Sequence, residues 1–152
     1  MEKMDEFDCK ILNSLQSDST VSLDQLADAI GLSRNACWRR VKIMEASGVI
    51  IKRVALVDPA KVNLGLMVFM QVRTNSHDPA WQQSFSNATN AISGILSVYR
   101  MTGDLDYLIR ARVSDMADYD RLYQQLITRL PIADIAASFV MEEIKDGTAL
   151  FL

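Results

Sequence analysis

Two groups of residues in this sequence have the types and spacing to bind ligands. The first is a block of cations: residues 33–53 hold six Lys or Arg and one acid, whereas residues 1–32 hold two cations and seven acids. Because the whole chain has a formal charge of −3, this block is a local positive patch on an acidic body. Such a patch attracts the phosphates of nucleic acid, while the acidic remainder discourages indiscriminate binding.

The cationic block falls on a predicted helix with one polar face. Cys37, Val41 and Met44 recur at i, i+4 and i+7, so they form the buried face. The opposite arc is predicted to meet base edges, and Arg40 lies on a flank that suits a phosphate. The alternative is that this cationic face is simply solvated and binds no ligand. Trp38 could equally contact DNA or pack against the neighbouring apolar residues. The residues predicted to contact DNA are Ser33, Arg34, Asn35, Trp38, Arg39, Arg40 and Lys42.

The second group is the acidic turn formed by Gly103, Asp104, Leu105 and Asp106. A free amino acid carries an ammonium group, which pairs with a carboxylate. Asp and Gly are also the residues that tight turns prefer, so an ordinary turn is the alternative interpretation.

Two short helices joined by a tight turn position the cations. Ser22 and Gln25 have the spacing of a capping box at the start of the first helix. Gly31 ends that helix in a left-handed conformation, and Ser33 caps the next one. An earlier helix is capped by Asp5. This pattern predicts a helix-turn-helix.

The chain then changes character. Residues 49–57 are apolar and β-branched, which predicts one or two strands and a winged arrangement, and Asp58 and Pro59 break the pattern. We therefore predict a DNA-binding domain at residues 1–50, a hinge strand and linker at residues 51–65, and a second domain at residues 66–152.

The second domain has the predicted order βαββαβ. Strands are expected at residues 66–73, 95–101, 107–113 and 135–144, with helices after Pro79 and Asp115. This order is the ferredoxin-like split motif, and the whole chain is assigned to the α+β class.

A sheet of this kind carries helices on one face, so its other face needs a cover. We predict that a second copy of the chain covers it, because two-fold symmetry gives a helix-turn-helix protein paired half-sites. Alternation alone does not decide which apolar residues face outward, and residues 150–152 or the first domain are the alternative cover. The residues available for a dimer interface are Met67, Phe69, Leu96, Val98, Leu108, Phe139 and Met141.

Composition excludes several classes of protein. Cys9 and Cys37 lack CxxC spacing and His77 is the single histidine, so neither a disulfide framework nor a metal site is expected. No apolar run approaches the roughly 18 residues of a membrane span, and the acidic start does not fit a signal peptide. A cytoplasmic, nucleoid-associated protein is the expectation.

With both halves interpreted, the chain resembles the Lrp/AsnC family of transcription regulators, the feast/famine proteins, over essentially its whole length. A subgroup that includes the cysteine-responsive regulator of cysteine desulfidase genes is similar in CWRR at 37–40 and YRMTGD at 99–104. The stretches that carry the family resemblance are LQSD at 15–18, GLS at 31–33, CWRRV at 37–41, ASGVI at 46–50, GDLDYL at 103–108 and MEEIK at 141–145.

The resemblance implies a winged helix-turn-helix, a hinge strand and an amino-acid-binding domain of the dimeric α/β-barrel type. Such domains dimerise and stack into octamers or larger rings. The effector is then expected near Gly103, with Asp106 receiving its ammonium group, Asp104 shaping the turn, and Met116 and Ser138 lining the pocket. Backbone N–H groups would receive its carboxylate, and the subgroup implies cysteine as the effector.

The predicted function is sequence-specific transcriptional regulation in which a small amino acid modulates assembly or DNA binding. One rival is an architectural DNA-binding protein that ignores ligands. The other is an enzyme on the ferredoxin-like domain, which is disfavoured because no histidine, phosphate loop or nucleophile with a base accompanies the paired carboxylates.

Overall fold

The computed structural model describes residues 4–152 and divides into two compact units. The N-terminal unit contains residues 4–56 together with residues 144–152, and the C-terminal unit contains residues 57–143. The segment 144–152 therefore belongs with the first unit, which differs from the predicted second domain at residues 66–152. The first three residues of the predicted domain at 1–50 lie outside the described range.

Three helices build the N-terminal unit: α1 (Glu6–Ser17), α2 (Leu23–Ile30) and α3 (Arg34–Ala46). The predicted caps are present, since Asp5, Ser22 and Ser33 each accept a hydrogen bond from a backbone N–H three residues onward. Such caps satisfy the N–H groups that the first turn of a helix leaves unpaired. One apolar cluster joins the three helices: Ile11, Leu12, Leu26, Ala27, Cys37, Val41 and Met44.

The strands predicted at residues 49–57 are wrong, because residues 51–58 have no regular secondary structure. This segment has the composition of a strand, but a strand also needs a hydrogen-bonded neighbour, and no other described segment pairs with it. Its apolar side chains are largely exposed, with Ile51 at 87%.

The predicted linker contains one turn of 3-10 helix at Pro59–Val62. Asp58 caps this turn by accepting from Ala60 N, and Asn63 ends it with φ +59°. The chain is therefore ordered by local hydrogen bonds before the C-terminal sheet begins.

The C-terminal unit contains β1 (Leu66–Arg73), α4 (Pro79–Asn90), β2 (Ile95–Arg100), β3 (Tyr107–Val113), α5 (Met116–Arg129) and β4 (Asp134–Phe139). The strands form one antiparallel sheet in the order β2-β3-β1-β4. The predicted ferredoxin-like arrangement is confirmed.

Packing between the helices and one face of the sheet forms the larger core. Alternate residues of β3 point into this core: Tyr107, Ile109, Ala111 and Val113 are buried, while the intervening residues are half-buried. The largest side chains of this core are aromatic and stack against one another, as in the Trp81–Phe85 pair with ring centroids 5.1 Å apart.

The last strand is shorter than predicted, ending at Phe139 and not at Ile144. Val68 pairs with Phe139, so the same register would place Ile144 opposite Asn63, which lies in the left-handed turn before β1. Because β1 begins at Leu66, which this register places opposite Met141, a strand that continued to Ile144 would have no β1 residue to pair with at its last three positions.

Two of the residues offered for a dimer interface share the helix-facing side of the sheet. Phe139 pairs with the core residue Val68 and packs edge-on against Tyr119, so it faces the helices. Val98 pairs with the buried Ile109, because a register shift between Ile95 and Ser97 interrupts the alternation of β2. The other members lie as follows: Met67, Phe69 and Leu108 face outward, Leu96 lies in the irregularity, and Met141 lies beyond the sheet.

Candidate functional site

Helix α3 is held by a short turn and a buried stripe. Gly31 has φ +78°, a conformation that glycine adopts at little cost, and Leu32 N donates to Ala27 O at 3.0 Å. Ser33 then caps α3 by accepting from Ala36 N at 3.3 Å. Cys37 is completely buried, and burial raises the pKa of its thiol. The turn therefore fixes which side of α3 faces outward.

The outward side of α3 contains the residues predicted to contact DNA. Asn35, Trp38, Arg39 and Lys42 are all exposed, and Trp38 has 53% of its surface accessible. Ser33 and Arg34 are exposed at the start of the helix. The structure thus brings six of the seven predicted residues onto one accessible surface, which we call the α3 face.

Arg34 and Lys42 of the α3 face form ion pairs with neighbouring carboxylates, whereas Arg39 pairs with none that the structure describes. Arg34 Nε lies 2.9 Å from Asp24 Oδ1, and Lys42 Nζ lies 2.8 Å from Glu45 Oε2. The hydrogen bond from Lys42 holds the pKa of Glu45 below its ordinary value. Arg39 forms no hydrogen bond or ion pair with any residue between 4 and 152. Its guanidinium is therefore available to a phosphate or a base edge without breaking an existing pair.

Arg40, the seventh predicted residue, has a different environment. Its Nη1 lies 2.8 Å from Asp5 Oδ2 and 2.8 Å from Asp8 Oδ1, and its guanidinium lies 5.6 Å from the ring centroid of Phe7. The Asp8 N–H and Arg40 hold the pKa of Asp5 below its ordinary value, and Asp8 raises that of Arg40. This side chain joins α3 to the first turn of α1.

The acidic turn between β2 and β3 is ordered by hydrogen bonds from the last residue of β1 and from the residue that follows it. Thr74 N donates to Asp106 Oδ2 at 2.8 Å, and Arg73 Nε donates to the carbonyl oxygen of Asp104 at 2.9 Å. Gly103 has φ +103°, so a residue with a side chain would be strained there. Sequence reasoning missed Arg73 and Thr74, because each acts across about thirty residues of sequence.

The two carboxylates of this turn differ in how many of their oxygens already have a hydrogen-bond or ionic partner. Asp106 shapes the loop through Oδ2, and its Oδ1 lies 3.9 Å from His77 Nδ1. The carboxylate of Asp104 forms no hydrogen bond or ion pair within residues 4–152. Both residues can still accept a donor from a ligand, although Asp106 also has the loop-shaping part that was predicted for Asp104.

The five predicted effector residues do not meet within one chain. Asp106 precedes β3 and Met116 follows it, and a strand of this length separates its ends by roughly 20 Å. Ser138 lies on the outer face of the sheet, paired with Phe69. A single site that used all of Gly103, Asp104, Asp106, Met116 and Ser138 would need more than one copy of the protein.

A groove of about 450 Å³ lies beside the base of the same hairpin. Polar side chains from α4 and the hairpin line it, among them Gln82, Ser86, Asn90, Arg100 and Tyr107. Its volume is in the range of small-molecule sites.

No helix within residues 4–152 has the length and apolar composition of a membrane span. No three His, Cys, Asp or Glu side chains of these residues are grouped so that they could hold a metal ion.

Comparisons with known protein families divide the chain at the same place as the sequence patterns do. Residues 4–51 match a winged helix-turn-helix DNA-binding model, and residues 67–150 match the Lrp/AsnC ligand binding domain. Together these matches cover both halves of the chain.

Curated relatives match over nearly the full length. The glutamate uptake regulatory protein of Zymomonas mobilis is 43% identical over 150 residues, which are 99% of this chain and 92% of that protein. The DNA-binding transcriptional activator DecR of Escherichia coli is 40% identical over 148 residues, covering 97% of each.

Solved structures agree with the fold. An AsnC family transcriptional regulator from Agrobacterium tumefaciens has a TM-score of 0.94 at 46% identity, covering 97% of this chain and 96% of that one. A transcriptional regulator from Neisseria meningitidis, solved in complex with L-Met, has a TM-score of 0.93 at 32% identity, with the same coverage.

Proposed function

Because this chain belongs to the Lrp/AsnC family of transcriptional regulators, we propose that it is a sequence-specific DNA-binding regulator whose assembly or DNA binding is modulated by a small amino acid. The observation that carries the DNA-binding half is the α3 face, an exposed cationic helix surface presented by a capped helix-turn-helix. Family membership carries the effector half.

The residues of the α3 face take different parts in this proposal. In a helix-turn-helix the N-terminal part of the second helix meets base edges, so Asn35, Trp38 and Arg39 read sequence. Ser33, Arg34 and Lys42 contact phosphates, which supply affinity and salt dependence. Arg40, which is already paired with two carboxylates of α1, positions α3.

The effector binds at the turn between β2 and β3. Asp104 and the remaining oxygen of Asp106 receive the ammonium group, and backbone N–H groups receive the carboxylate. Cysteine is the effector that the resemblance of CWRR and YRMTGD favours, and methionine is the amino acid bound by the Neisseria meningitidis relative.

The assembly is a dimer through the outer face of the sheet, stacked into an octamer or a larger ring. The half-buried Phe69 and Leu108 supply apolar surface on that face, whereas Met67 faces the same way but is already buried. Because the five predicted effector residues lie far apart in one chain, Met116 and Ser138 reach the ligand from neighbouring copies. A free amino acid that binds one assembly more tightly than another shifts the equilibrium between them and so changes the spacing of the α3 helices. The free energy of this shift is at most the difference between its binding free energies for the two assemblies. The protein acts in the cytoplasm, on the nucleoid.

The experiment is a thermal-shift panel of the twenty amino acids on the full chain, with cysteine and methionine as the first probes. An effector at one hundred times its Kd stabilises the folded state by about 2.7 kcal/mol. The shift should be lost in Asp104→Asn, whose carboxylate has no structural partner among the described residues, and kept in Asp120→Asn, an exposed carboxylate on α5.

The same saturating amino acid should change the sedimentation profile or the DNA footprint. If no amino acid changes the unfolding temperature, the oligomer distribution or the footprint, the effector half is wrong. DNA binding that persists without any such response would assign the protein to the architectural class. Turnover of an amino acid by the purified protein would revive the enzymatic alternative.

A further inference from the structure

The last residues of the sequence lie along α1 and contact it through main-chain groups. Gln16 Nε2 donates to the carbonyl oxygen of Leu150 at 3.1 Å, and Leu150 N donates back to Gln16 Oε1 at 2.6 Å. Asn13 Nδ2 donates to the carbonyl oxygen of Leu152 at 3.1 Å. Each bond uses a side-chain amide of α1 and a backbone group of the segment.

The spacing of the two partners explains why both amides reach the segment. Asn13 and Gln16 are three residues apart on a helix, so they lie on the same side of it. Leu150 and Leu152 are two residues apart, and backbone groups two residues apart in an extended chain point in the same direction. Gln16 satisfies the N–H and the C=O of one residue together, as a neighbouring β-strand would.

The side chains of this segment differ in how far they are buried. Leu150 is 70% exposed and Phe151 is fully exposed at 105%, whereas Leu152 is 40% exposed, so hydrogen bonds to the backbone, not side-chain packing at residues 150 and 151, hold this part of the segment. Recognition of this kind is tolerant of side-chain identity at residue 150. It depends instead on the amides at positions 13 and 16.

The contact acts on the helix that supports the DNA-binding surface. Ile11 and Leu12 of α1 belong to the same buried cluster as Cys37 and Val41 of α3. The chain leaves the N-terminal unit after residue 56 and returns to it at residue 144. A segment that grips α1 therefore attaches this unit to the rest of the chain a second time.

We propose that the side of α1 bearing Asn13 and Gln16, which we call the amide clamp, is a peptide-binding surface whose ligand is residues 150–152 of the same chain. The bound segment is a releasable second attachment of the DNA-binding unit. Because the bonds are exposed and few, the segment exchanges between clamped and released states, and the covalent connection keeps it at high local concentration. This attachment requires neither DNA nor effector.

The test is amide hydrogen exchange of the full chain, followed by NMR at the Leu150 N–H and corrected for intrinsic rates. The Leu150 amide should be protected in the parent protein. Gln16→Ala removes both hydrogen bonds to Leu150 and should accelerate exchange of the Leu150 amide about tenfold. Leu150→Ala keeps the N–H and C=O groups, so protection should persist. Ser17→Ala, one residue further along α1, is the matched control and should change nothing.

Three results would overturn the proposal. Exchange of the Leu150 amide at its intrinsic rate in the parent protein would show that the segment is not bound. Equal loss of protection in Leu150→Ala and Gln16→Ala would mean that side-chain packing, not the amides, holds it. Protection that disappears on dilution would assign the segment to a second copy. If Gln16→Ala destabilises α1, the exposed Asn13→Ala serves instead. This variant removes one bond to the segment, so the Leu150 amide should lose part of its protection from exchange.

Discussion

Replacing Arg40 by alanine separates a positioning role from a DNA contact. Arg40 lies on the cationic helix, and its sequence position suggests a phosphate contact. In the folded unit its guanidinium already binds Asp5 and Asp8 and lies over Phe7. We therefore expect Arg40→Ala to lower the stability of the N-terminal unit, because the carboxylates of α1 lose the cation that joins them to α3.

The size of the effect follows from the exposure of the groups. The side chain of Arg40 is 28% exposed and that of Asp8 is 18% exposed, so their pair is worth more than a fully solvated one and less than a buried one. Together with the ring contact, its loss should cost about 1–2 kcal/mol. For a folding unit of this size, each kcal/mol lowers the midpoint temperature by roughly 4–8 °C.

The assay pairs thermal unfolding with the salt dependence of binding to a mixed-sequence DNA duplex. Neutralising one phosphate contact lowers the slope of log K against log salt by about 0.9. Arg40→Ala should lower the unfolding temperature and leave that slope unchanged. Arg39→Ala, on the neighbouring position of the same helix, should lower the slope or the sequence preference and leave the unfolding temperature unchanged.

The reverse pattern would refute this reasoning. If Arg40→Ala reduces the salt slope by about 0.9 and leaves the unfolding temperature alone, Arg40 contacts a phosphate and its pairs with α1 contribute nothing to stability. Asp8→Asn provides an independent check, because it should reproduce the loss of stability without removing any cation from the α3 face.

Three further predictions concern other parts of the fold. Gly94→Ala should destabilise the C-terminal unit by about 1–3 kcal/mol in denaturant unfolding, because the new Cβ would lie 2.8 Å from Leu122 Cδ1. Wild-type stability would show that the Leu122 side chain reorients at no cost. Hydrogen bonds, chiefly from the backbone N–H of Ser114, lower the pKa of Asp118 below its ordinary value of 3.8. The contribution of Asp118 to folding stability is therefore complete above about pH 4 and is lost as the pH falls through its folded pKa. An acid titration of Asp118→Asn should therefore show a shallower loss of stability than the parent protein, and identical curves would contradict this. A thiol reagent should modify the half-buried Cys9 before the buried Cys37, and equal rates measured by mass spectrometry would show that the N-terminal core opens readily.

Features that depend on neighbouring residues were predictable from sequence. The caps at Asp5, Ser22 and Ser33 lie where their spacing placed them, because a capping bond spans only three residues. Strand β1 has the predicted bounds of Leu66–Arg73, and the βαββαβ order, the α+β class and the Lrp/AsnC family were all identified.

Features that depend on distant partners were not predictable. The start of β1 at Leu66 limits how far β4 can extend, and an irregularity in β2 sets the orientation of Val98. The pairing of Arg40 with Asp8 spans 32 residues of sequence, so the helical projection identified its flank but not its partner. Met116 and Ser138 were assigned by resemblance alone, and their separation from the acidic turn in one chain is a property of the sheet that no local pattern encodes.

The return of residues 144–152 to the N-terminal unit has a consequence for how the protein is made. The bond between Gln16 and Leu150 closes a loop of 134 residues, which makes it among the most non-local contacts of the chain. During synthesis the three helices can form early, since their contacts are local, whereas this contact must wait until the whole C-terminal unit has left the ribosome. The DNA-binding unit is therefore begun before the C-terminal unit and completed after it, and a fragment ending at residue 56 would represent only its early state.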